Sequence, residues 1–251
     1  WRASSNSVGG VIWPFLGGAL GALSWHFPFA IYLIGIPLAI ISFLTFPDVS
    51  KETQTREEIS KGNFLDIFRA NPIIFVLYLF IFLSNLLLYS IVIFLPPKLK
   101  YIGIVSPFYI GIFLSLMTIV AGTISFLYEK IKAKISYKRI LIIAFLAWII
   151  GFSLIYLFNM VLIIIIGIMF FGLGQGMILP TLMLWTGEKA PQEYKGSITS
   201  YLGTFGYLGQ FLNPILFSPL SGLWSYNIIF MFSAFISFAC LITIIIISLK
   251  Y

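Results

Sequence analysis

Eight times in 251 residues the sequence enters an apolar run long enough to cross a lipid bilayer. A helix rises about 1.5 Å per residue, so about 20 residues span the roughly 30 Å of hydrocarbon. The runs lie at about 5–23, 27–46, 72–95, 107–128, 139–158, 161–185, 197–217 and 225–248. No other feature restricts the fold as much. A backbone in lipid has no water to bond with, and a helix satisfies its own N–H and C=O groups within one segment. The expected fold class is therefore all-α, a polytopic helical membrane protein with about eight transmembrane helices. Composition agrees. The chain is 60% hydrophobic and 9% charged, where a soluble domain is about 45–50% apolar and about 25% charged.

Charge sets the orientation. If the chain crosses eight times, its loops alternate between two faces. One face receives Arg2, Lys51, Arg56, Lys61, Arg69, Lys130, Lys132, Lys134, Lys138, Arg139, Lys189, Lys195 and Lys250, while the other receives only Lys98 and Lys100. The positive-inside rule puts the rich face in the cytoplasm, with both termini on that side of the cell membrane. Merging or splitting one internal run would scramble this asymmetry, so it also supports the count of eight. The net charge of +7 is thus a topology signal first. Membrane lipids are the expected partners of the basic loops, and nucleic acid is not.

Most connections are short. The exception runs from Pro47 to Asn71 and holds five of the eight acidic residues. It reads as a cytoplasmic linker over 48–71, with a short interfacial helix near Asn63–Arg69. Asn71-Pro72 and Ser106-Pro107 each place a capping side chain before a proline at a first helical position. The chain opens at Trp1, and polar Arg2–Asn6 run straight into a helix without the charged n-region and cleavage site of a signal peptide. Two helices before the linker and six after it suggest N-terminal partner helices upstream. Lone Cys240 and lone His26 offer neither a disulfide nor a metal cluster, and no cofactor is expected.

The first run carries Gly10, Pro14, Gly17 and Gly21 at spacings of 4, 3 and 4, with Gly18 widening the strip. Small residues on one helix face let two backbones approach closely in lipid. Pro14 removes one donor and favours a kink. The strip serves either plain packing or a bend that shapes a translocation path.

These residues resemble the fifth-helix signature of major facilitator superfamily antiporters, a Gly-Pro-x-x-Gly-Gly core. Here it reads Trp13-Pro14-Phe15-Leu16-Gly17-Gly18, with Trp13 standing where the family has glycine. Leu95–Leu99 followed by Ser106–Gly111 resembles the exit of family helix seven and the entry of helix eight. Ala190–Gly196, then Gly209-Gln210 and Asn213-Pro214, resembles the connection between helices ten and eleven and the helix after it. Glu129–Arg139 stands where the family repeats its Gly-x-x-x-Asp-Arg-x-Gly-Arg-Arg loop. There Ala133 replaces the acid, Lys134 the arginine, and Glu129 and Ser136 the two glycines. The resemblance implies a partial major facilitator fold of the drug-efflux-like branch, covering family helices five to twelve. Residues 1–47 would be the last two helices of an N-terminal bundle, with the earlier ones missing, and 72–251 the C-terminal six-helix bundle.

Ionisable groups buried in a membrane are costly and usually functional. None stands at mid-span, so any coupling acid is expected upstream of Trp1. Neutral polar residues at depth are few. Asn85 is flanked by Phe82, Tyr89 and Tyr78 at helical spacings of three, four and seven, forming one stripe. Gln175 sits within Gly172–Gly176. Tyr201, Tyr207, Gln210 and Asn213 line the seventh run. Each could make an interhelical hydrogen bond, the reading favoured for Gln210 and Asn213, or line a cavity, the reading favoured for the Tyr78–Asn85–Tyr89 stripe. An aromatic cavity with few charges suits amphiphilic or cationic organic molecules.

The leading function is a secondary transporter, an antiporter that exports small molecules by alternating access, with protons a candidate coupling ion. The sequence has no G-x-x-x-x-G-K-[ST] loop for ATP. An integral membrane enzyme is disfavoured, because the acids show no paired spacing and there is only one histidine. A truncated, non-transporting membrane protein or sensor is the other alternative.

Overall fold

The computed structural model describes residues 2–45 and 72–250, and the regular structure among them is helical throughout. Helix α1 (Arg2–Leu23) is followed by a broken second segment: α2 (Phe27–Ala30), a 3-10 turn (Ile31–Ile34) and α3 (Gly35–Thr45). After the linker come α4 (Pro72–Tyr101), α5 (Pro107–Phe126), the short α6 (Tyr128–Lys132) and α7 (Tyr137–Leu157). The last three are α8 (Val161–Lys189), α9 (Lys195–Leu223) and α10 (Tyr226–Lys250). Helix stands at each of the eight expected places. Six stretches are long and apolar enough to cross a membrane: Phe27–Thr45, α4, α5, α7, α8 and Tyr226–Leu249. The two others, α1 and α9, are diluted by Gly, Ser and Pro, and the apolar part of α1 is Ile12–Leu23. The chain is a multi-pass helical membrane protein.

Local chemistry explains the breaks. Pro37 cannot donate to the carbonyl four residues back, so the helical ladder between Phe27 and Thr45 is interrupted beside Gly35. Pro107 stands at the start of α5 behind an extended Ser106, as expected. The Ser106 side chain, however, makes no capping hydrogen bond. The linker, with the interfacial helix expected near Asn63–Arg69, and Asn71 lie outside the described residues. The expected end of the third run at 95 is corrected. Helix α4 continues through Pro96 and Pro97 to Tyr101, because backbone bonding resumes beyond the prolines, with Ile102 N–H donating to the Lys98 carbonyl at 3.3 Å.

Helix α4 packs against α8, α9 and α10, α7 against α8 and α10, and α5 against α8. The core lies where α4, α7 and α8 meet. Trp148 of α7 stacks on Phe171 of α8 with centroids 4.9 Å apart. Its indole N–H donates to the Phe171 carbonyl at 2.9 Å. Glycines bring α8 close to both neighbours: a Cβ at Gly172 would lie 2.6 Å from the Met117 carbonyl of α5, and one at Gly174 2.6 Å from the Ala144 carbonyl of α7. Outside this bundle, α1 packs along α5, whereas α2 and α3 bury none of their residues. Lys98 at the end of α4 bonds Asn159 before α8 and Asn227 at the start of α10, and Tyr137 at the start of α7 bonds Glu188 near the end of α8. The connections after α4, α7 and α9 therefore share one end, and those after α5 and α8 share the other, called here the basic end.

Candidate functional site

The polar stripe of α4 faces α9. Asn85 donates from Nδ2 to the Ile81 carbonyl of its own helix at 2.9 Å. It accepts at Oδ1 from Gln210 Nε2 of α9 at 2.9 Å. One turn on, Asn213 donates to the Leu86 carbonyl at 2.7 Å and to Ser90 Oγ at 3.0 Å. The Tyr78 hydroxyl donates to the Ile198 carbonyl of α9, and its ring meets Phe205 edge-on at 4.9 Å. Glycines let the helices touch: a Cβ at Gly209 would sit 2.2 Å from the Phe82 carbonyl, and one at Gly206 3.0 Å from Asn85 Nδ2. Tyr78, Phe82, Asn85, Gln210 and Asn213 thus form one polar seam.

The other expected residues differ in exposure. Tyr89 is half-buried on α4, and Tyr201 is exposed on α9. Gln175 of α8 is buried, and its Oε1 has no hydrogen-bond partner among the described residues. The Asn213 Oδ1 is likewise buried without a partner there. The seam therefore satisfies its donors better than its acceptors.

The small-residue strip of α1 meets α5. A Cβ at Gly18 would lie 2.7 Å from the Pro107 carbonyl and 3.0 Å from Gly111 Cα. Conversely, a Cβ at Gly111 would lie 2.6 Å from the Pro14 carbonyl. Gly21 makes ordinary contact with Pro107 at 3.6 Å, and Phe15 packs edge-on against Phe108 at 5.7 Å. The contacting face is Pro14, Gly18 and Gly21. Gly17 is corrected: nothing lies within 4 Å of its Cβ position, because the neighbour sits on the side reached by a spacing of four from Pro14. The surroundings of Gly10 lie outside the described residues.

At the basic end an aromatic cluster stands where the family loop has its charged residues. The Tyr137 hydroxyl donates to Glu188 Oε1, and its ring stacks on Trp185 at 5.7 Å and 13°. Lys132 Nζ lies 3.9 Å over the same ring. Tyr128 shares a 2.8 Å hydrogen bond with Thr181 Oγ1, and burial pushes its phenol above the usual range. Sequence reasoning missed this cluster, since none of its members repeats a family motif.

It also missed a buried charge. Lys98, expected in a loop, is 1% exposed in the last turn of α4. Its spacing was the available signal: Lys98 follows buried Ile91, Phe94 and Leu95 by seven, four and three residues, continuing the inward face of the helix.

Comparison with known proteins follows the same lines. The family model described as Major Facilitator Superfamily matches residues 1–214 and 79–250. No curated protein matches the chain. Among solved structures, one described as a bacterial homolog of the human lysosomal transporter Spinster, in an inward-facing and unoccupied conformation, is similar with a TM-score of 0.62 at 19% identity. The match covers 87% of this chain and 54% of that one, so the chain spans about half the length of its structural relative. The family model spans both the α1–α5 crossing and the six-helix bundle, and the chain belongs to the major facilitator superfamily.

Proposed function

We propose that the protein is a secondary active transporter that exports small organic or amphiphilic compounds by alternating access, driven by an ion gradient. The eight segments correspond in this reading to family helices five to twelve. Residues 1–47 belong to the N-terminal bundle and 72–251 form the C-terminal one. The basic end is cytoplasmic, and the membrane is the cell membrane.

The observation that carries the reading is the α1–α5 crossing. It joins helices assigned to different bundles, and it is tightest at Gly18 and Gly111, toward the end away from the basic loops. A contact made through glycine backbones needs no interlocking side chains, so two rigid bodies can part there without breaking a salt bridge or a hydrogen bond. Such a joint suits a molecule that opens alternately at its two ends. The α4–α9 seam lies within one bundle. Its exposed aromatic neighbours Tyr201, Tyr207 and Phe211 on α9 suit a flat apolar cation through stacking and cation–π contact. The absence of a phosphate-binding loop for ATP from this sequence is compatible with a gradient drive. Among the described residues no carboxylate is buried.

The test is efflux of a fluorescent amphiphilic cation, such as ethidium, from cells expressing the protein. The expected result is extrusion that a protonophore abolishes within seconds. Extrusion that survives the protonophore but stops on ATP depletion would remove the gradient-driven reading. No extrusion of any organic cation would favour the non-transporting alternative.

A further inference from the structure

Among the described residues, no acidic side chain pairs with the buried Lys98 ammonium. Of the acidic residues, Asp48, Glu52, Glu57, Glu58 and Asp66 lie outside the described residues, and Glu129 and Glu188 stand at the basic end. Lys98 lies at the opposite end, where its ammonium donates to Asn159 Oδ1 and to Asn227 Oδ1, each at 2.6 Å. These are short, charge-assisted bonds. Asn159 belongs to the turn just before α8, and Asn227 is the second residue of α10. One side chain from the last turn of α4 thus reaches the residue before the N-cap of α8 and the first turn of α10.

The electrostatics make this arrangement specific. The C-terminal end of a helix favours a cation and the N-terminal end disfavours one. Lys98 is therefore helped by its own helix and opposed by the starts of α8 and α10. The two amide oxygens supply the compensation that a carboxylate would otherwise give. Removing the ammonium would leave both acceptors beside three helix ends with nothing to hold them in register. A buried charge retained without an ion-pair partner is costly, and the tie it makes between elements is the return visible in the structure.

We propose that Lys98 is a positioning residue, a three-way clip that fixes the ends of α4, α8 and α10 to one another so that the six-helix bundle moves as one body. The clip holds the helix that carries Asn85 in register with the helix that carries Gln175. It rests on the geometry alone and stands whether or not the proposed export reading holds.

Local hydrogen exchange of the purified protein in nanodiscs, read by mass spectrometry, tests it. Lys98→Met keeps the length of the side chain and removes the donors. It should raise exchange at least tenfold in peptides covering 159–164 and 226–231, while peptides around Trp148 and Phe171 stay protected. Lys98→Arg should restore most of the protection. Asn159→Leu should release only the start of α8, and Asn227→Leu only the start of α10; these two single-arm variants give the answer if Lys98→Met does not fold. Unchanged exchange at both helix starts would overturn the clip, and so would a uniform rise over the whole bundle in all three variants.

Discussion

Asn85 divides its hydrogen bonds between two helices, donating to Ile81 within α4 and accepting from Gln210 of α9. The spacing of Tyr78, Phe82 and Asn85 announced that these residues share a face. It could not announce what covers that face, because periodicity describes one helix and a partner needs two. Asn85→Leu leaves the Gln210 amide without its acceptor, and interhelical bonds of this kind contribute about 0.6–1.7 kcal/mol. A double-mutant cycle of Asn85→Leu with Gln210→Leu, read by thermal unfolding in detergent, should return a coupling of about 1 kcal/mol. Additive effects would mean the bond contributes nothing. Lys98 was hidden for a different reason: Pro96-Pro97 reads as a helix stop, and the helix runs through it.

Crossings between elements depend on which side of a helix is used. The sequence showed a strip of small residues on α1, but Pro14 can be extended by three residues to Gly17 or by four to Gly18. The choice is made by α5, whose Gly111 faces Pro14 and Gly18. Gly111→Val would drive a branched side chain into the Pro14 carbonyl 2.6 Å from its Cβ position. Overpacking of this kind costs about 1–3 kcal/mol, so the melting temperature should fall. Gly17→Ala meets open space and should leave it within error. Equal losses in the two variants would place the crossing elsewhere. At the basic end, Tyr137→Phe removes the bond to Glu188 and keeps the stack on Trp185. Because Glu188 is exposed, the loss should stay below about 1 kcal/mol, whereas Trp185→Ala, which empties a buried site, should cost about 3–5 kcal/mol.

For the whole molecule, number and order of helices were legible because lipid leaves so few alternatives. Helix stands at every expected segment, but the second run, read as one continuous span, is broken over residues 27–45 beside Gly35 and Pro37. The packing partners were not legible. Leucine-rich faces look alike to sequence, and the neighbours of α8 are chosen by the fit of Gly167, Gly172, Gly174 and Gly176 against particular backbone atoms. The same logic governs motion. If α1 and α5 belong to bodies that rock, their crossing is the place to see it.

Spin labels at Leu23 of α1 and Tyr109 of α5, both exposed, would flank the crossing, and buried Cys240 would remain unlabelled. Pulsed electron resonance in nanodiscs should give two distance populations, with the longer one enriched or depleted on adding an amphiphilic cation. A single short distance, unchanged by pH or added cation, would contradict alternating access at this joint.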